Sequence, residues 1–217
     1  MSDFTQYRIK HDTLSEKAYH MIKSLIINNE LKPGEKIIQE KMAEQLGISK
    51  IPLIQALTLL NNEGLLDKVS RKGFYVRKFS RVELNQIFEI RSLLEMLSVS
   101  TITKNIDSEI EKKLKDFLKD FETFYLKRND KKYYDVDVKF HHYLIEASEN
   151  KLLKNIIENF NILIICYTRG FVLAIDESFR QHKELIEAML NRDVKKAENA
   201  IREHIQKISE KFNSLNN

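Results

Sequence analysis

The sequence predicts a mainly α-helical chain: an N-terminal winged helix-turn-helix followed by a C-terminal all-α antiparallel helical bundle. Three observations predict it. The first is where the turn-formers lie. The 217 residues hold five Gly and two Pro, where a chain of average composition would hold roughly 26 of the two together. Gly34, Gly47, Gly64, Gly73, Pro33 and Pro52 all fall between residues 33 and 73, and beyond Phe74 there is one glycine, Gly170, and no proline. Hairpins and bulges lean on these residues, so the last two-thirds is neither a β-sandwich nor a barrel and carries no Gly/Ser or Pro linker. The second observation is a 3.6-residue apolar period in one segment after another. The third is charge. Residues 1–78 carry 13 Lys+Arg against 9 Asp+Glu, which accounts for the whole net charge of +4, and residues 79–217 balance at 23 of each. A small basic module, 1–78, is joined to a neutral helical one, 79–217.

The elements follow in order. Residues 14–29 form a helix with Ala18, Met21/Ile22, Leu25 and Ile26 on its apolar stripe, and Pro33-Gly34 turns the chain. A second helix covers 38–46 and stops at Gly47, a C-cap. Ser49 is an N-cap for a third helix, with Leu53, Ala56/Leu57 and Leu60 inward and an end near Gly64. Pro52 is tolerated in its first turn, where amides have no intrahelical partner. Two short β-prone pieces, 65–69 and 74–77, flank the basic turn Ser70-Arg71-Lys72-Gly73. In this arrangement the third helix fits the major groove of double-stranded DNA, and Arg71 and Lys72 of the wing reach the backbone or minor groove. A small helical domain with solvated lysines is the other reading.

The remaining composition sets bounds. No apolar run approaches the ~20 residues of a membrane span, and residues 1–13 lack a signal-peptide core. The single cysteine, Cys166, allows no internal disulfide and no thiolate metal cluster. A cytoplasmic protein with no membrane partner is expected.

At this point the first module resembles the DNA-binding domain of GntR-family transcriptional regulators. Pro33-Gly34 matches the family's Pro-Gly turn, Met42-Ala43…Leu46-Gly47-Ile48-Ser49 its Leu-Ala…Leu-Gly-Val-Ser stretch, Glu63-Gly64-Leu65 its Glu-Gly-Leu, and 71–76 its wing. In the FadR-type branch arginines usually stand where this chain has Lys41, Lys50 and Ile54, and Gln55 replaces a common Glu. The resemblance implies DNA contacts from Lys41, Ser49, Lys50, Gln55, Arg71, Lys72 and Gly73, and no charged contact from Ile54. Lysine cannot make arginine's bidentate fork, so an unusual or weaker sequence preference is expected.

In the second module, Ser80 and Glu83 form a capping box that opens a helix to about residue 103. Ser108 and Glu111 open the next, striped by Ile110, Leu114, Phe117/Leu118, Phe121 and Phe124/Tyr125. Further helices are predicted over 131–147, 151–175, 177–190 and 193–214, with Asn150, Asp176 and Asp193 as boundary residues. Six helices make an antiparallel bundle. Gly170 marks a kink, a cleared space for a ligand, or a tolerated surface glycine.

Three of these stripes contain ionisable groups where the core should be. The stripe of 131–147 is Tyr133, Asp137, Phe140/His141, Leu144, Ser148. That of 177–190 is Phe179, His182, Ile186, Met189. That of 193–214 is Val194, Ala197, Ile201, His204, Ile208, Phe212. Buried ionisable groups need partners. Asp137 and His141 are i, i+4 on one face, whereas His142 is turned ~100° away and solvated. Three imidazoles and one carboxylate suit Zn²⁺, Ni²⁺ or Mn²⁺, with one or two positions left for water or a ligand. A buried hydrogen-bond network without metal is the other reading.

Asp137-x-x-x-His141-x-x-Leu-x-x-Ala147-Ser148-x-Asn150, His182-x-x-Leu-Ile-x-Ala-Met, and Asn191-Arg-Asp193…Ala197…His204-Ile205 are similar to the ligand-binding FCD domain of FadR-type regulators, and Arg91-x-x-x-Glu95 also fits. The resemblance covers about residues 14–210. It implies a divalent metal on Asp137, His141, His182 and His204 and a small carboxylate effector completing its shell. Arg91 is the first candidate for a carboxylate contact, then Tyr167 and Arg169. A homodimeric, effector-responsive regulator of a DNA operator is expected, not an enzyme. A regulator in which the metal is the signal and a metal-dependent enzyme on a helical bundle are the alternatives. Against the enzyme, the chain has no His-Glu-x-x-His and no obvious general base beside the four ligands.

Overall fold

The computed structural model describes residues 13–159 and 173–215, so Cys166, Tyr167, Arg169 and Gly170 lie outside the described residues. The chain divides into two compact units, one ending at Lys78 and the other beginning at Phe79.

In the first unit, α1 (Leu14–Ile27) starts at a capping box made by Thr13 and Glu16. Its buried Ala18, Ile22 and Ile26 pack on α3. Helix α2 (Gln39–Leu46) ends at Gly47, whose φ of 63° is the left-handed C-cap that glycine adopts without strain. Ser49 is the N-cap of α3 (Lys50–Asn62) by backbone geometry, although its hydroxyl makes no capping bond. Leu53, Ala56, Leu57 and Leu60 of α3 are fully buried. The wing is β2 (Leu66–Val69) and β3 (Gly73–Val76), paired antiparallel from Leu66↔Val76 to Val69↔Gly73. The sequence expectation of two strands needs correction. A third strand, β1 (Lys36–Ile37), pairs antiparallel with β3 on its other edge, giving the order β1-β3-β2. The Pro33-Gly34 turn feeds that pairing, since the Gly34 amide donates to Val76 O at 2.8 Å.

The described part of the second unit has six helices: α4 (Arg81–Lys104), α5 (Ser108–Leu126), α6 (Asp130–Ala147), α7 (Lys151–Asn159), α8 (Ile175–Leu190) and α9 (Val194–Leu215). The capping box of Ser80 and Glu83 opens α4 as expected. Helix α4 packs against α6, α8 and α9, and α5 packs against α6 and α8. The expected stripes supply the buried Leu114 and Phe121 of α5, Tyr133, Phe140 and Leu144 of α6, Ile186 and Met189 of α8, and Ala197, Ile201 and Ile208 of α9, whereas Ile110, Phe117, Leu118, Phe124 and Tyr125 of α5, Phe179 of α8 and Val194 of α9 are half-buried.

Two helix starts differ from expectation. Asp107, not Ser108, caps α5, its carboxylate accepting from the Ile110 amide at 2.8 Å. Asp176 lies inside α8, whose N-cap is Ala174. The Asp176 carboxylate instead accepts from Arg128 Nη1 at 2.7 Å. Asn150 and Asp193 do cap, accepting from the Leu153 and Lys196 amides at 3.1 and 3.0 Å.

Candidate metal centre and nucleic-acid interface

Asp137 and His141 lie one turn apart on α6, His182 comes from α8 and His204 from α9, and all four are buried. One donor atom from each lies within 4.8 Å of all the others. Helical spacing puts the α6 pair on one face, and the apolar stripes of α8 and α9 bring the other two to it. His142, next to His141, is exposed.

Each imidazole is held from behind through Nδ1. His141 Nδ1 meets Glu95 of α4 in a short contact. His182 Nδ1 faces the Tyr133 hydroxyl at 3.1 Å and Ser178 Oγ at 3.3 Å. His204 Nδ1 lies 2.9 Å from Gln181 Oε1. Glu95 and the Gln181 oxygen only accept, so the proton of His141 and of His204 sits on Nδ1 and the Nε2 lone pair faces the centre. His182 adopts the same state when the Tyr133 hydroxyl donates to Ser178 Oγ, 3.2 Å away, and accepts from Nδ1. Ring packing fixes the orientations further. Phe121 stacks on His182 with centroids 4.4 Å apart and planes 13° from parallel, and His141 stacks on His204 at 5.3 Å and 21°.

The electrostatics agree with this proton placement. Burial pushes the pKa values of His182 and His204 down, well down for His204, and the neighbouring imidazoles push in the same direction. Both are neutral near pH 7. Burial alone would raise Asp137, but the hydrogen bond it accepts from His182 Nε2, with the positive charge that His182, His141 and His204 carry when protonated, holds its pKa below the usual carboxylate range; His182 offers an ion its Nε2 lone pair when that proton moves to Nδ1. Burial would also raise Glu95, and Arg91 and His141 bring it down to about 2. An ionised Asp137 beside neutral His182 and His204 is the protonation state a divalent ion requires of these ligands.

The donor set fits such an ion. His182 Nε2 is 3.1 Å and His141 Nε2 3.9 Å from Asp137 Oδ1. The Nε2 atom of His204 is buried without a hydrogen-bond partner, an arrangement that costs about 1–3 kcal/mol when nothing else satisfies it. Donors each about 2.1 Å from one ion lie at most about 4.2 Å apart, so for all four to bind one ion the 4.8 Å spread would have to close by at least roughly 0.6 Å. Three nitrogens and one carboxylate favour Zn²⁺, Ni²⁺ or Mn²⁺ over the all-oxygen cations Ca²⁺ and Mg²⁺.

Arg91 is fully buried on α4, with Nε 2.6 Å from Glu95 Oε1. It stands behind Glu95 in the series Arg91, Glu95, His141. Tyr167 and Arg169, the other expected effector contacts, lie outside the described residues. Sequence reasoning did not assign Tyr133, Ser178 or Gln181 to the site. Ser178 precedes His182 on α8, and Tyr133 precedes Asp137 on α6, by four positions on one helix face, and that spacing is the available signal for these two.

In the first unit, Lys41 of α2 is exposed, as are Ser49, Lys50 and Gln55 around the start of α3. Lys50 Nζ is 2.7 Å from Glu40 Oε1 of α2. Arg71 and Lys72 are exposed at the wing tip, where Arg71 has φ 59° and Gly73 φ 97°. The tight turn needs these left-handed residues, so Gly73 is a backbone requirement. Among the described residues no helix is long and apolar enough to cross a membrane.

Residues 14–76 match the gntR family of bacterial regulatory proteins, and residues 86–207 match the FCD domain. The HTH-type transcriptional regulator YdhC of Bacillus subtilis (strain 168) is 29% identical over 194 residues, covering 86% of this chain and 84% of its own length. The HTH-type transcriptional regulator LutR of the same organism is 24% identical over 211 residues, covering 86% and 95%. Among solved structures, McbR/YncC of E. coli superposes with a TM-score of 0.75 at 21% identity, covering 95% of this chain and 100% of that one.

Proposed function

The chain belongs to the GntR family of bacterial regulatory proteins, with an FCD domain behind the winged helix, and from that premise we propose a DNA-binding transcriptional regulator controlled through a metal-bearing effector pocket. Asp137, His141, His182 and His204 hold a divalent ion, and the protein acts on a DNA operator as a homodimer. The observation that carries the reading is the convergence of three buried imidazoles, each fixed through Nδ1, on one ionised carboxylate.

When bound, the ion offers its remaining positions to a small carboxylate. The protein's own residues do the rest. Glu95, Tyr133 with Ser178, and Gln181 keep the Nε2 lone pairs pointed inward. Arg91 balances the Glu95 charge and adds positive potential behind the pocket. Because the four ligands sit on α6, α8 and α9, an effector that draws them together favours one packing of these helices. Control of DNA binding then requires unequal effector affinity in the two packings. Two winged helices on two half-sites supply the specificity that one small module lacks.

Metal analysis of the purified protein tests this. About one divalent ion per chain is expected, falling sharply in His182→Ala and His204→Ala. Full occupancy in both variants overturns the site. Metal alone changing operator affinity, with no carboxylate added, favours the metal itself as the signal.

A further inference from the structure

The outward face of α3 carries no charge, and this bears on which bases it reads. With Leu53, Ala56, Leu57 and Leu60 buried against the unit's core, the opposite face carries Ile51, Ile54, Gln55 and Thr58, with Asn62 at its last turn and exposed Leu59 at its edge. At ~100° per residue, Thr58 lies within about 20° of Ile51, and Gln55 and Ile54 within about 40° and 60°. Ile51 is 72% and Ile54 39% exposed. Two exposed β-branched hydrocarbons thus occupy the first turns of the helix that a winged helix-turn-helix sets into the major groove.

We infer that α3 recognises A·T base pairs, with Ile51 and Ile54 against thymine methyl groups and Gln55 on adenine. The inference deepens the DNA-binding function. The C5-methyl of thymine is the apolar group that the major-groove edge presents, and aliphatic side chains contact it. The Gln55 carboxamide matches the N6 and N7 edge of adenine bidentately. Thr58 donates its hydroxyl to Ile54 O at 2.7 Å, so it offers bases a methyl group and oxygen lone pairs, which also suit A·T.

Guanine is read best by the arginine fork or a lysine donor, and no such group lies on this face. Lys50, to one side of it, is a point charge engaged by Glu40 at 2.7 Å. Positive charge is supplied instead by Arg71 and Lys72 in the wing, where contacts to phosphate add affinity without base information.

The test is selection of full-length protein on a random duplex library, with and without Zn²⁺, followed by replacement of each thymine in the selected duplex by uracil. Uracil removes one methyl group and leaves the hydrogen-bonding edge unchanged. The expected core of each half-site is A·T pairs, with affinity falling about four-fold at one or two thymines, the factor that burial of one such group supplies. Ile54→Ala should abolish the uracil effect at one of these positions. Ile54→Arg should draw guanine into the selected site. Ile54 is exposed, so both variants should melt with the wild type.

A G·C core, or uracil duplexes that bind as well as thymine duplexes throughout, overturns the inference and leaves DNA binding intact. Retention of no duplex at low salt overturns both.

Discussion

Replacing Glu95 by glutamine takes one charge from the interior of the helical unit with little change of shape. Glu95 is fully buried, accepts from Arg91 Nε at 2.6 Å and meets His141 Nδ1 on its other oxygen. Glutamine can still accept from His141, but it leaves the fully buried Arg91 guanidinium without its carboxylate. Breaking a buried pair from one side costs about 3–5 kcal/mol, a large part of a typical stability of about 5–15 kcal/mol. At roughly 3 °C per kcal/mol, the melting temperature falls by about 10 °C. Weaker support of a ligating histidine lowers metal affinity by about 10- to 100-fold. The double variant Arg91→Met/Glu95→Met separates the two effects. Removing both charges should restore most of the stability, while metal affinity stays low because His141 has lost its acceptor. Calorimetric melting of the metal-free protein and competition with a chelating dye measure the two quantities. If Glu95→Gln melts with the wild type and binds Zn²⁺ as tightly, the chain from Arg91 to His141 does not support the site.

Three further outcomes follow from the same geometry. Gln181→Leu removes the acceptor behind His204 Nδ1 and should weaken metal binding by about 10-fold or more, with helicity by circular dichroism unchanged; wild-type affinity in this variant refutes the assigned tautomer. The pKa values of His182 and His204 are lowered on folding by burial from the ordinary 6.5, so below that pH the unfolded chain binds protons that the folded chain refuses. In metal-free protein the stability these two residues contribute is present above pH 6.5 and lost as the pH falls below it; urea midpoints that hold level between pH 7 and 5.5 contradict the assignment. Arg71→Ala/Lys72→Ala should reduce the slope of log K against log salt by about 2 for DNA binding, with little change in sequence preference, and an unchanged slope in salt-titrated gel shifts removes the wing from the interface.

Helices and their buried faces were legible because each carries its own period. Asp137, His141, His182 and His204 stood out for the same reason, as polar residues at positions where the stripe demands apolar ones. Arg91 and Glu95 stood out only through the resemblance, since α4 alternates charged and apolar residues along much of its length and only the docking of its neighbouring helices shows which of them are inside. Gln181 precedes His182 by ~100° on the helix and reads as a surface residue until α9 brings His204 to it. Strand β1 has two residues and exists only through its pairing with β3, so no local pattern could announce it. At the start of α5, Asp107 and Ser108 are both good caps by composition, and the extended backbone at Asp107 decides between them. Asp176 was read as a boundary, and its pairing with Arg128 depends on a residue 48 positions away.

The four ligands also have a topological consequence. Asp137 and His204 stand 67 positions apart in sequence, and fastening both to one point closes the intervening chain into a ring. Loop closure of that length removes conformational freedom from the unfolded chain much as a covalent bridge does, and the proposed ion would make such a bridge, one that a chelator removes. The amides of α9 should therefore exchange with solvent far faster after metal is stripped, and the C-terminal helix should then be the first to yield to a protease.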